Sequence, residues 1–209
     1  MLLGKSVVRS SSVGDRRWDP AKCAVIGLAA GYGHVYGMDM YKRFVGSLRA
    51  TGYPGHIILG IAPNAPQNVR KYLARHRVVT KEVSIGRCTY YNSTCPHCTV
   101  EGKRFTRPKC AADYPDYKIQ WGRFPLTADW LRECNGCTDG VMLTDTRDVY
   151  FQADPFKDAE PHGLAVFEEH PDTSANHWLT NLPVSRCRDY KFTKAQKMLC
   201  SGSTCFMAV

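Results

Sequence analysis

Short, continuous apolar runs are spaced along the chain at the length of buried β-strands. Residues 23–30, 56–61 and 141–143 are three such runs, and a further strand is suggested by residues 78–79 together with 83–85. A run that is apolar at every position, rather than at alternate ones, is typical of a strand buried on both faces. These segments therefore predict strands of a mainly parallel sheet.

Amphipathic stretches separate these runs and predict helices. Their apolar positions are Tyr36, Met40, Phe44 and Leu48 in the first, Val69, Tyr72, Leu73 and His76 in the second, and Leu126, Trp130 and Leu131 in the third. The first helix is expected to end near Gly52 and Pro54. We expect Asn64 to cap the second helix and Pro125 to lie in the first turn of the third, which then runs to Cys134.

The alternation of strands and helices predicts an α/β fold with helices on the faces of the sheet. Such sheets bind ligands beyond the carboxyl ends of their strands, so the glycine-containing turn at residues 31–34 is a candidate nucleotide site. Residues 1–20 are polar and basic and predict a disordered tail. Residues 21–209 are then one domain, in which residues 86–116, rich in Cys, Pro, Lys and Arg, form an inserted loop.

The charge of the chain is unevenly distributed, which points to an anionic partner. The net charge is +9; residues 1–110 carry 18 Lys and Arg against 5 Asp and Glu, and the remainder carries 10 against 14. A basic half attracts a diphosphate, an anionic polymer or nucleic acid, and it is also compatible with a merely solvated basic surface. No stretch approaches the ~20 apolar residues of a membrane span, and the apolar run in residues 1–18 is too short and too interrupted to predict a secretory signal.

Ten cysteines are many for a domain of this size. An even, clustered count favours disulfides in an oxidising compartment, with zinc ligation as the alternative. Within the insertion, Cys88, Cys95, Cys98 and Cys110 are expected either to form two disulfides or to ligate zinc, and we favour disulfides. The two Cys-x-x-Cys pairs, residues 95–98 and 134–137, are an alternative pair of zinc half-sites.

Two carboxylates follow the apolar run at residues 141–143, namely Asp145 and Asp148. Carboxylates at the end of a buried strand lie at the mouth of the sheet, where one or two of them suffice to hold a hard cation together with water and phosphate oxygens. The structural alternative is that Asp145 caps the following turn and Asp148 pairs with Arg147. Spacing alone leaves both interpretations open.

The segment at residues 144–156, TDTRDVYFQADPF, resembles the acidic metal-motif segment of GT-A glycosyltransferases, in particular of plant and algal ones. Weaker similarities to the same family lie at residues 25–33, 122–126, 164–169 and 200–204, the last resembling a Ser-Gly turn near the sugar pocket. The resemblance runs from about residue 22 to residue 205. It implies a Rossmann-like GT-A fold.

The resemblance also implies an activity, the transfer of a hexose or similar sugar from a nucleotide-diphosphate donor to a hydroxyl of a glycan, glycoprotein or other acceptor. The cofactor would be Mn²⁺ or Mg²⁺. By position, the metal carboxylates would be Asp145 and Asp148, and Arg123 would face the diphosphate. The nucleotide would lie against Ala29, Ala30 and Gly31, and the candidates for a catalytic carboxylate are Glu168 and Glu169.

Cysteine content and the family resemblance together suggest a Golgi or other secretory lumen. Because the family commonly takes a further metal ligand from beyond the Ser-Gly segment, we expect a C-terminally truncated domain. Two alternatives to an active transferase follow. One is an inactive truncated transferase; the other is a non-catalytic basic module with a zinc-held loop, although nucleic acid is disfavoured because the basic half lacks spaced aromatic residues for base stacking.

Overall fold

The computed structural model describes residues 5–7, 17–30, 37–89, 109–157, 165–168 and 199–207. At 5–7, 165–168 and 199–207 it describes the backbone alone. The described residues form a seven-stranded sheet in the order β1-β8-β9-β7-β2-β3-β4 and a separate two-stranded sheet, β5-β6. The strands are β1 (Lys5–Val7), β2 (Ala24–Ala29), β3 (His56–Ile61), β4 (Val78–Glu82), β5 (Ile85–Arg87), β6 (Lys109–Ala111), β7 (Gly140–Thr144), β8 (Ala165–Glu168) and β9 (Leu199–Met207).

Four neighbouring strands of the large sheet, β7, β2, β3 and β4, are parallel. The strands β7, β2 and β3 correspond to the apolar runs of the sequence, and nearly all of their side chains are buried. On the other side of β7 the pairing is antiparallel, from β7 to β9, from β9 to β8 and from β8 to β1. The predicted α/β class with a mainly parallel sheet between helices is thus confirmed for this part of the chain.

Helices cover both faces of the parallel strands. The first helical segment consists of α1 (Met38–Tyr41), a π-helical turn (Lys42–Gly46) and α2 (Ser47–Ala50), and it shares one core with α3 (Gln67–Arg75). The opposite face is covered by α4 (Ile119–Arg132), whose Leu126 and Trp130 are buried as expected. None of the helices in the described ranges has the length and apolarity that a membrane-spanning helix requires.

Two helix starts differ from the prediction. The helix expected to be capped by Asn64 begins later, after Pro66, whose side chain makes no capping hydrogen bond. The fixed φ of proline suits the residue at a helix start, which explains the shift. The third helix begins at Ile119, so Pro125 lies inside α4 rather than in its first turn. The hydroxyl of Thr127 donates to the carbonyl oxygens of Arg123 and Phe124 beside the proline.

The expected third strand is divided in two. Residues 78–82 form β4 at the edge of the large sheet, whereas residues 85–87 form β5 and pair with β6. A disulfide joins Cys88 to Cys110 and closes the base of the Cys-rich insertion. For this pair the structure agrees with the disulfide prediction, while Cys95 and Cys98 lie outside the described residues.

Two further segments differ from expectation. The region expected to be a disordered tail contains β1 and the ring of Trp18, which packs edge-on against Phe156 with centroids 6.4 Å apart. The segment at residues 200–204, expected as a turn, lies within β9. The pairing of β9 with β8 shifts register between Val166 and Phe167, so this segment is an irregular part of a strand rather than a turn.

Candidate functional site

The direction in which strands are added to the sheet reverses at β2. The chain passes from β2 to β3 and β4 on one side, then crosses back to place β7 on the other side of β2. In a doubly wound sheet the helices of the two halves lie on opposite faces, which leaves a crevice beyond the carboxyl ends of the two strands at the reversal. The candidate site is therefore the carboxyl edge of β2 and β7.

Three of the predicted nucleotide and metal residues, Ala29, Ala30 and Asp145, follow or end strands at this edge. Ala29 ends β2 and Ala30 follows it, both buried, while Asp145 follows directly after Thr144, the last residue of β7. The register of the two strands pairs Gly27 with Thr144, so β2 runs two residues past the end of β7. Gly31, the third predicted nucleotide contact, lies outside the described residues.

Arg123 of α4 reaches across to Asp145. Its Nη1 lies 2.6 Å from Oδ1 of Asp145 and forms an ion pair. The arginine side chain is only 14% exposed, whereas the aspartate side chain is 57% exposed. The guanidinium also lies 5.2 Å from the ring centroid of Phe124. A largely buried cation thus faces a carboxylate that remains accessible from the crevice.

Asp148 has a different cationic partner. Its two carboxylate oxygens accept hydrogen bonds of 2.7–3.0 Å from Nε and Nη2 of Arg147. Hydrogen bonding from this guanidinium lowers the pKa of Asp148. Both side chains are about two-thirds exposed. The pairing of Asp148 with Arg147, stated above as the structural alternative, is therefore present, and the two aspartates lie in separate ion pairs.

The carboxyl edge of β2 and β7 offers few ligand atoms to a cation. Asp145 offers an accessible carboxylate, and Mg²⁺ or Mn²⁺ needs only one or two such groups when phosphates and water complete its coordination. In the described ranges, three His, Cys, Asp or Glu ligand atoms come together at His56, Cys134 and Cys137, and not around Asp145. An all-protein cage for the cation is therefore not present among these residues.

The candidate catalytic carboxylates are less well defined. Glu168 ends β8, where its backbone pairs with Leu199 of β9. That placement puts it on the antiparallel half of the sheet, two strands from β7. Glu169 lies outside the described residues. No role for either residue follows from this placement.

Two exposed aromatic residues near the motif were not singled out from the sequence. The ring of Trp121 is 63% exposed on α4, two residues before Arg123, and Tyr150 is 64% exposed, two residues after Asp148. Exposed rings are platforms on which bases or sugar faces pack. The sequence offered one signal for them: each stands two residues from a charged residue of the motif, and neither belongs to the apolar face of a predicted helix.

Comparison of the chain with protein-family profiles, with curated proteins and with solved structures finds no match.

Proposed function

We propose that the chain is a metal-dependent glycosyltransferase with a GT-A-like, Rossmann-type nucleotide-binding fold that binds a nucleotide-diphosphate sugar in the crevice at the carboxyl ends of β2 and β7. The observation that carries the proposal is the pairing of a mostly buried Arg123 with an accessible Asp145 at the point where the strand order reverses. A metal-bound diphosphate requires a carboxylate for its metal ion and a cation for its phosphate oxygens, and Asp145 and Arg123 are one of each.

In the resting state the two groups neutralise each other. With a metal-bound diphosphate in the crevice, the carboxylate of Asp145 would hold the Mn²⁺ or Mg²⁺ ion, and the guanidinium of Arg123 would donate to a phosphate oxygen. Arginine is suited to this exchange because its planar donors match phosphate oxygens and it stays charged at any physiological pH. The exchange keeps the charge of the largely buried Arg123 side chain opposite an anionic group in both states.

The metal would supply charge neutralisation for the departing diphosphate. Arg123, held by α4, stabilises the negative charge that develops on the leaving group because it is positioned before the reaction begins. Ala29 and Ala30 are small, buried residues at the carboxyl end of β2, and the resemblance assigns them to the nucleotide. Asp148, which is exposed and paired to its neighbour, is the second carboxylate available to the cation.

The test of activity is the release of free nucleoside diphosphate from UDP- and GDP-sugars by the purified chain with Mn²⁺, since slow transfer to water needs no known acceptor. Release that depends on Mn²⁺ and falls at least tenfold in Asp145→Asn supports the proposal. Asp113→Asn, a charge-matched change at an exposed aspartate outside the motif, serves as control and should leave the rate unchanged.

The inactive-transferase alternative gives a different outcome, namely metal-dependent nucleotide binding without release. The binding-module alternative places zinc in the Cys-rich insertion, where Cys88 and Cys110 form a disulfide, so zinc could bind there only after reduction. It predicts binding of an anionic polymer and no nucleotide binding at all.

A further inference from the structure

A second cluster of reactive side chains lies at the opposite, amino-terminal edge of the parallel strands. His56 is the first residue of β3, and Cys134 and Cys137 flank the turn between α4 and β7. One ligand atom from each of the three residues lies within 4.8 Å of the others. Cys137 is buried, and the other two residues are half-buried.

We propose that this cluster is a redox-controlled zinc site. The two cysteines form a disulfide in the structure, and in that state they offer no thiolate. When they are reduced, two thiolates and one imidazole nitrogen are available at the corners of a small triangle. Two sulfurs and one nitrogen are a ligand set that Zn²⁺ prefers, with the fourth tetrahedral position left to water or to an exogenous ligand.

The turn between the two cysteines is shaped around the histidine. A Cβ atom placed on Gly136 would lie 2.7 Å from Nε2 and 2.8 Å from Cε1 of His56, so only glycine lets the ring approach this closely. Within the described residues, Gly52 is the glycine with a positive φ, so Gly136 is not required for its backbone conformation. Its small size is therefore matched to the position of the imidazole.

The backbone on both sides of the cluster is held in place without the metal. The amide of His56 donates to the carbonyl of Cys23 at 2.9 Å, and the hydroxyl of Tyr53 donates to that same carbonyl at 2.7 Å. On the other side, the amide of Cys137 donates to the carbonyl of Cys134 at 3.1 Å. The ligands are thus brought together by the sheet and by the turn, and not by the ion.

The helix that precedes the cluster favours a cation over a thiol–disulfide catalyst. Cys134 follows the carboxyl end of α4, where the helix dipole is negative. A dication is stabilised at that end, whereas a free nucleophilic thiolate is stabilised at an amino end. The pair therefore lacks the helix amino-terminus that activates the thiol in catalytic Cys-x-x-Cys motifs. It lies instead at a helix carboxyl-terminus, which stabilises a bound cation.

The chemistry of the switch balances with an external thiol. A low-molecular-weight dithiol transfers two electrons and two protons to the Cys134–Cys137 disulfide and becomes a cyclic disulfide itself. Binding of Zn²⁺ to the two resulting thiols then displaces their two protons, so uptake of zinc should release acid and strengthen as pH rises. A low-molecular-weight disulfide reverses the step: it accepts two electrons from the two thiolates and leaves as two thiols after taking up two protons. The ion is then released because the sulfur atoms of Cys134 and Cys137 are bonded to each other again.

The test uses the full chain, reduced and kept free of oxygen, titrated with Co²⁺ as a spectroscopic probe and then with Zn²⁺ in competition with a chelator. We expect a cobalt spectrum of a tetrahedral, thiolate-bound ion that is lost in Cys134→Ser/Cys137→Ser. His56→Gln and Gly136→Ala should each weaken zinc binding at least tenfold, the latter with the ligands intact. The matched control is Cys95→Ser/Cys98→Ser, the other Cys-x-x-Cys pair.

Circular dichroism of each variant separates loss of the site from loss of the fold, and Gly136→Ala keeps the test decisive if the double cysteine variant does not fold. Zinc binding that survives Cys134→Ser/Cys137→Ser, disappears in Cys95→Ser/Cys98→Ser, or is indifferent to both His56→Gln and Gly136→Ala would overturn the proposal. So would equal zinc binding by the reoxidised chain.

Discussion

The hydroxyl of Thr146 donates a 3.1 Å hydrogen bond to the carbonyl of Leu28. The contact ties the segment that carries Asp145 to the end of β2, and the threonine is 3% exposed. On its other side, the γ-methyl of Thr146 occupies the space that a side chain at Gly27 would need, since a Cβ atom there would lie 2.4 Å from it. The position of the acidic segment thus depends on the small size of Gly27 in β2 and on the buried hydroxyl of Thr146, which follows β7.

Replacement of Thr146 by valine tests the hydrogen bond. Valine keeps the γ-methyl and removes the donor, so the free energy of unfolding should fall by about 1 kcal/mol, the usual net value of a buried hydrogen bond. Urea denaturation measures the change. The control is Thr80→Val on the exposed side of β4, which should cost almost nothing; equal losses in the two variants would show that the contact with Leu28 contributes no stability.

Replacement of Gly27 by alanine tests the packing at the same point. The added methyl must displace Thr146 or the carbonyl of Thr144, which lies 3.2 Å from the Cβ position, so we expect a loss of about 1–3 kcal/mol. The matched change is Gly86→Ala in β5, where a Cβ meets nothing within 4 Å. Thermal unfolding that is equally affected by both changes would contradict the close packing of Gly27 and Thr146.

The two disulfides should contribute unequally to stability. Cys88 and Cys110 are 22 residues apart, whereas Cys134 and Cys137 are 3 apart. If cross-links act mainly by reducing the entropy of the unfolded chain, removal costs about 3 kcal/mol for the longer loop and about 1.5 kcal/mol for the shorter one. Unfolding of Cys88→Ala/Cys110→Ala and of Cys134→Ala/Cys137→Ala measures both; the reverse order would argue against this entropic account.

Cys23 should be unreactive in the folded chain. Its thiol is fully buried, and burial raises its pKa from the ordinary value of 9.0 to about 12. Iodoacetamide at pH 8 should therefore leave the Cys23 peptide unmodified in native protein and modify it in urea, as measured by mass spectrometry. Modification at the same rate in both states would place the thiol at the surface.

The same shift predicts a dependence of stability on pH. Because the unfolded thiol ionises near 9.0 and the folded thiol only near 12, the unfolded state binds fewer protons between these values. The contribution of the buried Cys23 thiol to the free energy of unfolding is therefore complete below pH 9 and is lost as the pH rises towards 12. The difference in unfolding free energy between the parent chain and Cys23→Ala should shrink over this range, and a constant difference would contradict the shift.

The central sheet was readable from the sequence because its strands are buried on both faces. The three isoleucines and one leucine among residues 56–61 leave few alternatives to a buried parallel strand, and the bounds of β3 match the prediction. The antiparallel strands were harder to recognise. β9 contains Ser, Gly and Thr in its middle, and its conformation depends on pairing with β7 and β8 rather than on an apolar pattern of its own.

The carboxyl-edge site was partly predictable and the amino-edge cluster was not. Asp145 stands directly after an apolar run, which is a local signal that survives in any parallel sheet. Its ion pair with Arg123 depends on where α4 begins. That start, at Ile119, is not predictable from the sequence because no capping side chain precedes it. His56 has no local signal at all, because the fold alone brings it to two cysteines that lie about 80 residues further along the chain.

The most direct test of the central claim is calorimetric titration of the folded chain with UDP and with GDP, each with and without Mn²⁺. The account predicts binding of one nucleotide per chain that requires Mn²⁺ and weakens at least tenfold in Asp145→Asn and in Arg123→Met. It predicts a smaller loss in Asp148→Asn and none in Asp113→Asn. Absence of metal-dependent binding by a folded chain, or equal binding by Asp145→Asn and the parent, would contradict a nucleotide-diphosphate site at the carboxyl ends of β2 and β7.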